Sequence, residues 1–221
     1  MVSISLFQSR GFLLRWISIS TIGMLLVAGA STVAGYTSLI LVQSPTTLES
    51  TIEPVIVGLG GAMLGVLQWS LLRRGIIISG WWIPASILGL LAAIAIRSIV
   101  GGRVTSGIIS LLTPFAVAGV SLGLAQWAVL RRSLPYAGWW IVASVVGLSL
   151  GVYLGIGILA LLSSSAPTPP ASGLTIFLRR AFLLIAFVLP GVIYGGSTWY
   201  ALAELVHPRA SKTVQKNGFT P

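Results

Sequence analysis

A segment of 30 residues occurs twice in this chain, 58 positions apart and without a gap. Residues 61–90 align with residues 119–148, and 16 of the 30 positions are identical. In each copy an apolar stretch ends at two arginines, and a second apolar stretch follows a short connection. An apolar–turn–apolar unit of this size is typical of a transmembrane helical hairpin. The repeat therefore predicts a membrane domain built from equivalent hairpins.

The composition supports a lipid environment. Hydrophobic residues make up 56% of the 221 residues, and charged residues make up only 7%. A water-soluble domain has about 25% charged residues, so this chain has too few charges to cover a surface in water. The chain has no cysteine, which excludes disulfides and cysteine-bound metals.

Six apolar stretches of about 20 residues each match the thickness of a bilayer. Backbone groups in hydrocarbon must be paired within their own segment, so the stretches are predicted to be helices. We therefore predict an all-α, polytopic membrane helical bundle that forms a single membrane domain over residues 1–221. The predicted transmembrane helices lie near residues 14–36, 54–72, 81–100, 108–130, 139–162 and 181–203, with a linker at 163–172 and a tail at 205–221.

A weaker third copy of the hairpin pattern is divided between the two ends of the chain. Odd-numbered spans contain W-I-x2-S-x2-G, beginning at Trp16, Trp82 and Trp140. Even-numbered spans contain G-x3-G-x3-W-x2-L, with its Trp at 69, 127 and 199. We therefore predict three pseudo-repeated hairpins, one of them split between the termini. This register also predicts that all eight tryptophans lie at one membrane interface, where indole is favoured.

The distribution of Lys and Arg predicts the orientation in the membrane. Basic residues predicted on the inside lie at Arg10, Arg15, Arg73, Arg74, Arg131, Arg132, Arg209, Lys212 and Lys216. Arg103 and the pair Arg179–Arg180 fall on the other side and are outnumbered. The apolar run after Arg15 is longer than a signal-peptide core, so the first span is expected to be retained. We predict cytoplasmic N and C termini in a bacterial inner membrane or a thylakoid.

Arginine pairs stand beside tryptophans in both copies of the repeat. Guanidinium binds phosphate with two hydrogen bonds and stacks on indole, so the pattern suggests a site for anionic lipid headgroups. The hypothetical site residues are Arg73, Arg74, Trp81, Trp82, Arg131, Arg132, Trp139 and Trp140. The alternative is that these arginines only set the topology from solvated turns.

Glycines four residues apart allow two helices to approach closely. Such pairs occur at Gly61 and Gly65, Gly119 and Gly123, and Gly191 and Gly195. We interpret them as positions of helix packing within the chain. Packing between copies of the chain, or against a bound lipid or pigment, is the alternative.

Three of the polar residues within the predicted spans are candidates for a specific role. Gln68 and Gln126 each precede an interfacial Trp, and their amides are expected to bridge neighbouring helices. Arg97 is the one charge clearly inside a span, near its predicted outer end. Its side chain either extends to the headgroups or takes part in an ion pair or a transport pathway.

The sequence offers little for catalysis. It has three acidic residues, all of them Glu, and a single His, and none lies deep in a predicted span. We therefore predict that the protein is not an enzyme, holds no cofactor or metal, and does not bind nucleic acid. The leading hypothesis is an accessory or structural subunit that packs against anionic lipid and against other membrane proteins or copies of itself. The alternative is a small-solute or lipid transporter or channel with a pathway on the repeat axis.

The motifs Q-W-x2-L-R-R and G-W-W-I-x-A-S, within residues 61–148, carry a family resemblance. In these motifs the chain resembles uncharacterised multipass membrane proteins of cyanobacteria and related bacteria. The resemblance implies a multipass membrane protein of this repeated design. It implies no activity, cofactor or substrate.

Overall fold

The chain forms an all-helical bundle in a computed structural model that describes residues 9–41, 48–100, 107–134, 136–164 and 173–206. These residues contain six helices and no strand. In chain order the helices are α1 (Arg10–Leu41), α2 (Leu48–Leu72), α3 (Trp82–Val100), α4 (Gly107–Leu130), α5 (Trp139–Ser164) and α6 (Gly173–Val206).

Five of these helices are long and apolar enough to cross a membrane. The crossing segments are Arg10–Gly29, Glu53–Leu72, Trp82–Ile99, Thr113–Leu130 and Trp139–Ile158. Each has 18 to 20 residues, which at 1.5 Å per residue is about 30 Å of helix, the thickness of the hydrocarbon core. On its described residues α6 is not among the five. The structure thus indicates a multipass membrane protein with at least five apolar helices of spanning length.

The helices form a closed ring. Each helix packs against the helices that precede and follow it in the chain, and α6 packs against α1 to close the ring. Among the described residues, helices that are not neighbours in this ring make no comparable contact. The short connections 73–81 and 131–138 lie at the end of the ring where odd helices begin and even helices end. We call this the turn end.

Glycines bring even helices against the next odd helix of the ring. A Cβ atom added to Gly65, Gly123 or Gly195 would lie 3.0, 3.0 or 2.9 Å from a Cα of the facing helix. The three facing residues are Ile83, Ile141 and Ile17, which occupy the same position in the W-I-x2-S-x2-G pattern. Gly61, Gly119 and Gly191 make similar approaches one turn earlier. All six glycines of the predicted packing set therefore lie in contacts within the chain.

The other three interfaces of the ring use glycines of the odd helices. A Cβ on Gly89 would lie 2.7 Å from the Cα of Leu122, and a Cβ on Gly147 would lie 2.8 Å from the Cα of Tyr194. The corresponding approach of Gly23 to Leu64 closes the contact between α1 and α2. Backbones this close gain dispersion contacts that lipid chains do not supply.

Helix ends differ from the predicted spans mainly in α1, α2 and α6, which extend beyond residues 14–36, 54–72 and 181–203. Apolar length indicates only the part of a helix in hydrocarbon, whereas backbone hydrogen bonding continues past it. Two boundaries are corrected as a result. The predicted linker loses residues 163–164 to α5, and the predicted tail loses residues 205–206 to α6. The rest of the linker and of the tail lies outside the described residues.

The core at the turn end is closed by the connections themselves. Ile76 and Ile78 from the first connection are buried, as are Leu134 and Ala137 from the second. They belong to the same apolar cluster as Trp16, Trp82, Trp140, Leu72, Leu130 and Leu202. A second cluster, formed by Val57, Leu64, Leu90, Leu122, Leu148 and Tyr194, continues the core away from the turn end.

Candidate functional site

Three tryptophans fill the centre of the ring near the turn end. Trp16, Trp82 and Trp140 have no exposed surface. Trp140 contacts the other two edge to face, with ring centroids 6.1 Å from Trp16 and 5.5 Å from Trp82. This arrangement is favourable for aromatic pairs. These side chains form part of the protein core.

These three tryptophans therefore face the core of the ring and not the lipid. The prediction that all eight tryptophans lie at one membrane interface concerns their depth in the bilayer and stays a prediction. Trp82 and Trp140 cannot form the exposed surface of a headgroup site. Their neighbours Trp81 and Trp139 are 66% and 65% exposed. Trp139 and Trp140 are consecutive residues of α5 and point about 100° apart, so one faces outward and the other faces the core. Trp81 is the last residue of the connection before α3 and also faces outward. The remaining Trp69, Trp127 and Trp199 are partly buried against the turn-end core.

A layer of buried polar side chains lies beside the three tryptophans. Its fully buried members are Ser20, Gln68, Ser86, Gln126, Ser144, Thr198 and Tyr194. Gln68 and Gln126 had been expected to bridge neighbouring helices. Tyr194 was not predicted, because its two counterparts in the repeat are the apolar Leu64 and Leu122. We call this set the polar layer.

Gln126 is the centre of the polar layer and links five helices. Its Nε2 donates to Gln68 Oε1 at 3.2 Å and to Ser86 Oγ at 3.0 Å. Its Oε1 accepts from Trp140 Nε1 at 2.9 Å and from Tyr194 Oη at 3.3 Å. The amide thus uses both of its N–H groups and two acceptor positions, which is its full hydrogen-bonding capacity.

Helix α1 joins the same network through two residues. Gln68 Nε2 donates to Ser20 Oγ at 3.2 Å, and Trp16 Nε1 donates to Thr198 Oγ1 at 3.1 Å. Thr198 Oγ1 in turn donates to the backbone carbonyl of Tyr194 at 2.7 Å. All six helices are therefore connected by hydrogen bonds across the middle of the ring.

These hydrogen bonds follow the repeat in two of its three predicted copies. The Gln of an even helix donates to the Ser of the preceding odd helix, as in Gln68 to Ser20 and Gln126 to Ser86. In the third copy Thr198 replaces the Gln, and Ser144 Oγ is left as a buried atom without a hydrogen-bond partner. The shorter side chain of Thr thus accounts for the missing bond.

A second relation also occurs in two copies. The Trp of an odd helix donates to the polar residue of the preceding even helix, as in Trp140 to Gln126 and Trp16 to Thr198. Trp82 Nε1 has no partner, while the corresponding Gln68 Oε1 accepts from Gln126 instead. Two of the buried atoms without a hydrogen-bond partner, Trp82 Nε1 and Ser144 Oγ, thus lie where the hydrogen bonding departs from the repeat.

Replacing Thr198 with Gln is expected to leave the protein at least as stable as the natural chain. The longer amide can accept from Trp16 and donate to Ser144, as its counterparts do. Replacing Thr198 with Val removes the acceptor of Trp16 and is expected to cost about 1 kcal/mol, the range of single interhelical hydrogen bonds in membranes. Unfolding by a denaturing detergent measures both. A Thr198→Gln variant less stable than Thr198→Val would contradict the equivalence of the third copy.

The arginines of the two connections stack on tryptophans of the preceding helix. Arg73 Cζ lies 4.6 Å from the ring centroid of Trp69, and Arg131 Cζ lies 4.9 Å from that of Trp127. Arg74 and Arg132 are exposed beside them. Trp69 and Trp127 are not among the residues predicted for the headgroup site, although the spacing of four residues between Trp and Arg signals such a pair on a helix.

Arg97 forms an ion pair at the end of the ring opposite to the turn end. Its Nη2 lies 2.5 Å from Glu53 Oε1, which joins α3 to α2. The side chains are 47% and 28% exposed. Of the alternatives for Arg97, the structure therefore shows an ion pair at the helix end.

Breaking this ion pair is expected to have a small effect on stability. Replacing Glu53 with Gln should lower the free energy of unfolding by less than about 1 kcal/mol, because solvent and salt screen an exposed pair. Detergent unfolding at low and high salt tests this, and the loss should be smaller at high salt. A loss that does not depend on salt would show that the pair is shielded from solvent.

The site geometry and the apolar helices define a multipass helical membrane protein with a buried polar layer. Within the described ranges there is no group of three His, Asp, Glu or Cys side chains able to hold a metal. Comparisons with known protein families, with curated proteins and with solved structures find no match to this chain. The resemblance to cyanobacterial multipass proteins stays a prediction.

Proposed function

We propose that this protein is a non-enzymatic integral membrane protein that serves as an accessory or structural subunit. The observation that carries the proposal is that its polar side chains point into the bundle. The amides and hydroxyls of the polar layer are fully buried and mostly bonded to one another. The outer surface instead presents large apolar side chains, such as Leu59, Met63 and Leu154. Such a surface is suited to contact with lipid and with other membrane helices.

The architecture proposed for this role is six spans arranged as three equivalent hairpins, one of them split between the termini. Support comes from residues at equivalent positions that have equal burial. The sets Trp16, Trp82 and Trp140, and Leu72, Leu130 and Leu202, are fully buried in all three copies. The distribution of basic residues supports placing the turn end, and both termini, on the cytoplasmic side.

Purification of the tagged protein from its native membrane in a mild detergent, with mass spectrometry of what accompanies it, tests the subunit role. A stoichiometric membrane-protein partner is the expected result. Photo-reactive residues at Leu59, Leu124 and Val192, which face outward on three helices, should then cross-link to that partner mainly from one face. A protein that purifies alone, with cross-links only to lipid, would refute the subunit role.

A transporter is the second candidate, and the polar layer is the observation that favours it. Gln68 and Gln126 meet near the middle of the ring, where a pathway on the repeat axis would run. The three buried tryptophans and the layer of Leu72, Leu130 and Leu202 close this axis in the present structure. Flux through vesicles that depends on either Gln, in a variant that still folds, would support transport over the subunit role.

A further inference from the structure

Two stacked guanidinium–indole pairs lie at equivalent places on the rim of the turn end. They are Arg73 on Trp69 and Arg131 on Trp127. We infer that each pair binds the phosphate of one anionic phospholipid, so that the chain has two such sites and the third copy of the hairpin has none. The inference rests on the proposed contact with anionic lipid and names where that contact occurs.

The depth of the two pairs fits the level of lipid phosphates. Arg73 directly follows the 20-residue apolar segment Glu53–Leu72, and Arg131 directly follows the 18-residue segment Thr113–Leu130. Segments of this length cross the hydrocarbon core, so the next residue lies among the headgroups. Each guanidinium lies over an indole one turn back along the same helix, which holds it at the boundary with hydrocarbon.

The chemistry of each pair also suits a phosphate monoanion. Stacking uses one face of the guanidinium and leaves its N–H edges free to form two parallel hydrogen bonds to phosphate oxygens. The adjacent Arg74 or Arg132 is exposed and adds a second positive charge. Among the described residues, no carboxylate forms an ion pair with these four arginines. The ion pair of the described residues joins Arg97 to Glu53, at the opposite end of the ring. A lipid with net negative charge is therefore favoured over a zwitterionic one.

The third copy lacks these features. The positions that correspond to Arg73 and Arg74 hold Ala203 and Glu204, although Trp199 retains the indole. Glu204 is exposed, so a negative charge lies where the other copies have a positive one. An anionic lipid would be repelled there. The difference between the copies predicts a count of two lipids for each chain.

Native mass spectrometry of the full chain with added phosphatidylglycerol tests this count, with phosphatidylcholine as the matched neutral lipid. Two phosphatidylglycerol molecules should bind before any others. Arg73→Ala or Arg131→Ala should weaken binding at its own site by about tenfold and leave the other site unchanged, and the double variant should weaken both sites by about tenfold, the loss expected for a charge-assisted hydrogen-bonded pair. Arg73→Lys keeps the charge but loses the planar fork, and should behave like Arg73→Ala. Thermal unfolding should not change, because these arginines are exposed.

Arg15→Ala is the control, since it removes an exposed arginine from the same end without a described indole beneath it. It should leave both lipids bound. If Arg15→Ala loses as much lipid affinity as Arg73→Ala, general positive charge at the surface binds the lipid, and the stacked pairs do not. Three lipids bound with equal affinity, or two whose affinity does not change in the double variant, would overturn the inference. Soluble glycerophosphate should not displace the lipids; displacement would indicate a site for free phosphate. If the double variant loses a co-purifying acidic protein and keeps both lipids, the arginines bind a protein instead of lipid. Failure to find a subunit partner leaves the lipid count unaffected.

Discussion

Replacing Gln126 with Leu is expected to destabilise the bundle more than any other single change in the polar layer. The change removes four hydrogen bonds at once and leaves Trp140 Nε1, Tyr194 Oη and Gln68 Oε1 without their described partner. At about 0.6 kcal/mol for an average interhelical bond, and up to about 1.7, the loss should be about 2 to 4 kcal/mol. Unfolding by a denaturing detergent, followed by tryptophan fluorescence, measures it.

Gln68→Leu is the matched control, because it changes the same side chain in the other copy of the repeat. Gln68 forms two side-chain hydrogen bonds, one with Ser20 and one with Gln126. The loss of stability in Gln68→Leu should therefore be about half as large as in Gln126→Leu. Equal and negligible losses in both variants would show that the polar layer does not stabilise the fold. Combined with loss of flux in vesicles, that result would favour the transporter over the subunit.

Replacing Gly119 with Leu is expected to force α4 and α5 apart. A Cβ at this position would lie 2.6 Å from the Cα of Val145, and backbone cannot move aside as a flexible side chain can. Overpacking costs about 1 to 3 kcal/mol in a well-packed core, and more where the neighbour is backbone, so we expect at least about 3 kcal/mol. The yield of folded protein in detergent and its unfolding midpoint measure the effect.

Gly157→Leu is the control on the neighbouring helix α5. Nothing lies within 4 Å of a Cβ at Gly157, and the residue is exposed to the lipid side. Its replacement should change stability by less than about 1 kcal/mol, the scale of helix propensity alone. Similar losses of stability in both variants would mean that close helix packing does not decide which glycines can be replaced by Leu. Because Gly119 faces a helix of its own chain, its replacement tests folding and not docking of a partner.

The helices themselves could be predicted because a bilayer makes strict demands on length and backbone pairing. A run of about 20 apolar residues must be helical to cross hydrocarbon, whatever its neighbours are. The glycine pairs were also informative, since small residues four positions apart lie one turn apart on the same face of a helix. Gly65 and Gly123 indeed lie against equivalent residues of the next helix.

The direction of adjacent residues was harder to predict. Trp81 and Trp82 are chemically identical, and the tendency of indole to lie at interfaces placed both at the surface. In the structure Trp82 is buried, because the orientation of α3 in the ring points its first residue into the core. Trp81, the last residue of the connection before α3, is exposed. Arg73 stacks on Trp69, four residues before it at the end of α2, instead of on a tryptophan after the turn.

The apolar helices, their approximate lengths and the two turns of the repeat can be predicted from the sequence alone, because each depends on local spacing and on the thickness of the membrane. The split third hairpin predicts that the last helix pairs with the first, but the tertiary structure decides which faces of α6 and α1 meet to close the ring, since that contact joins residues far apart in the chain. The tertiary structure also decides that Gln126 becomes the centre of a network while Ser144 and Trp82 lack partners. Hydrogen bonds of about 3 Å depend on the positions of several helices at once, and no single segment of sequence specifies those positions.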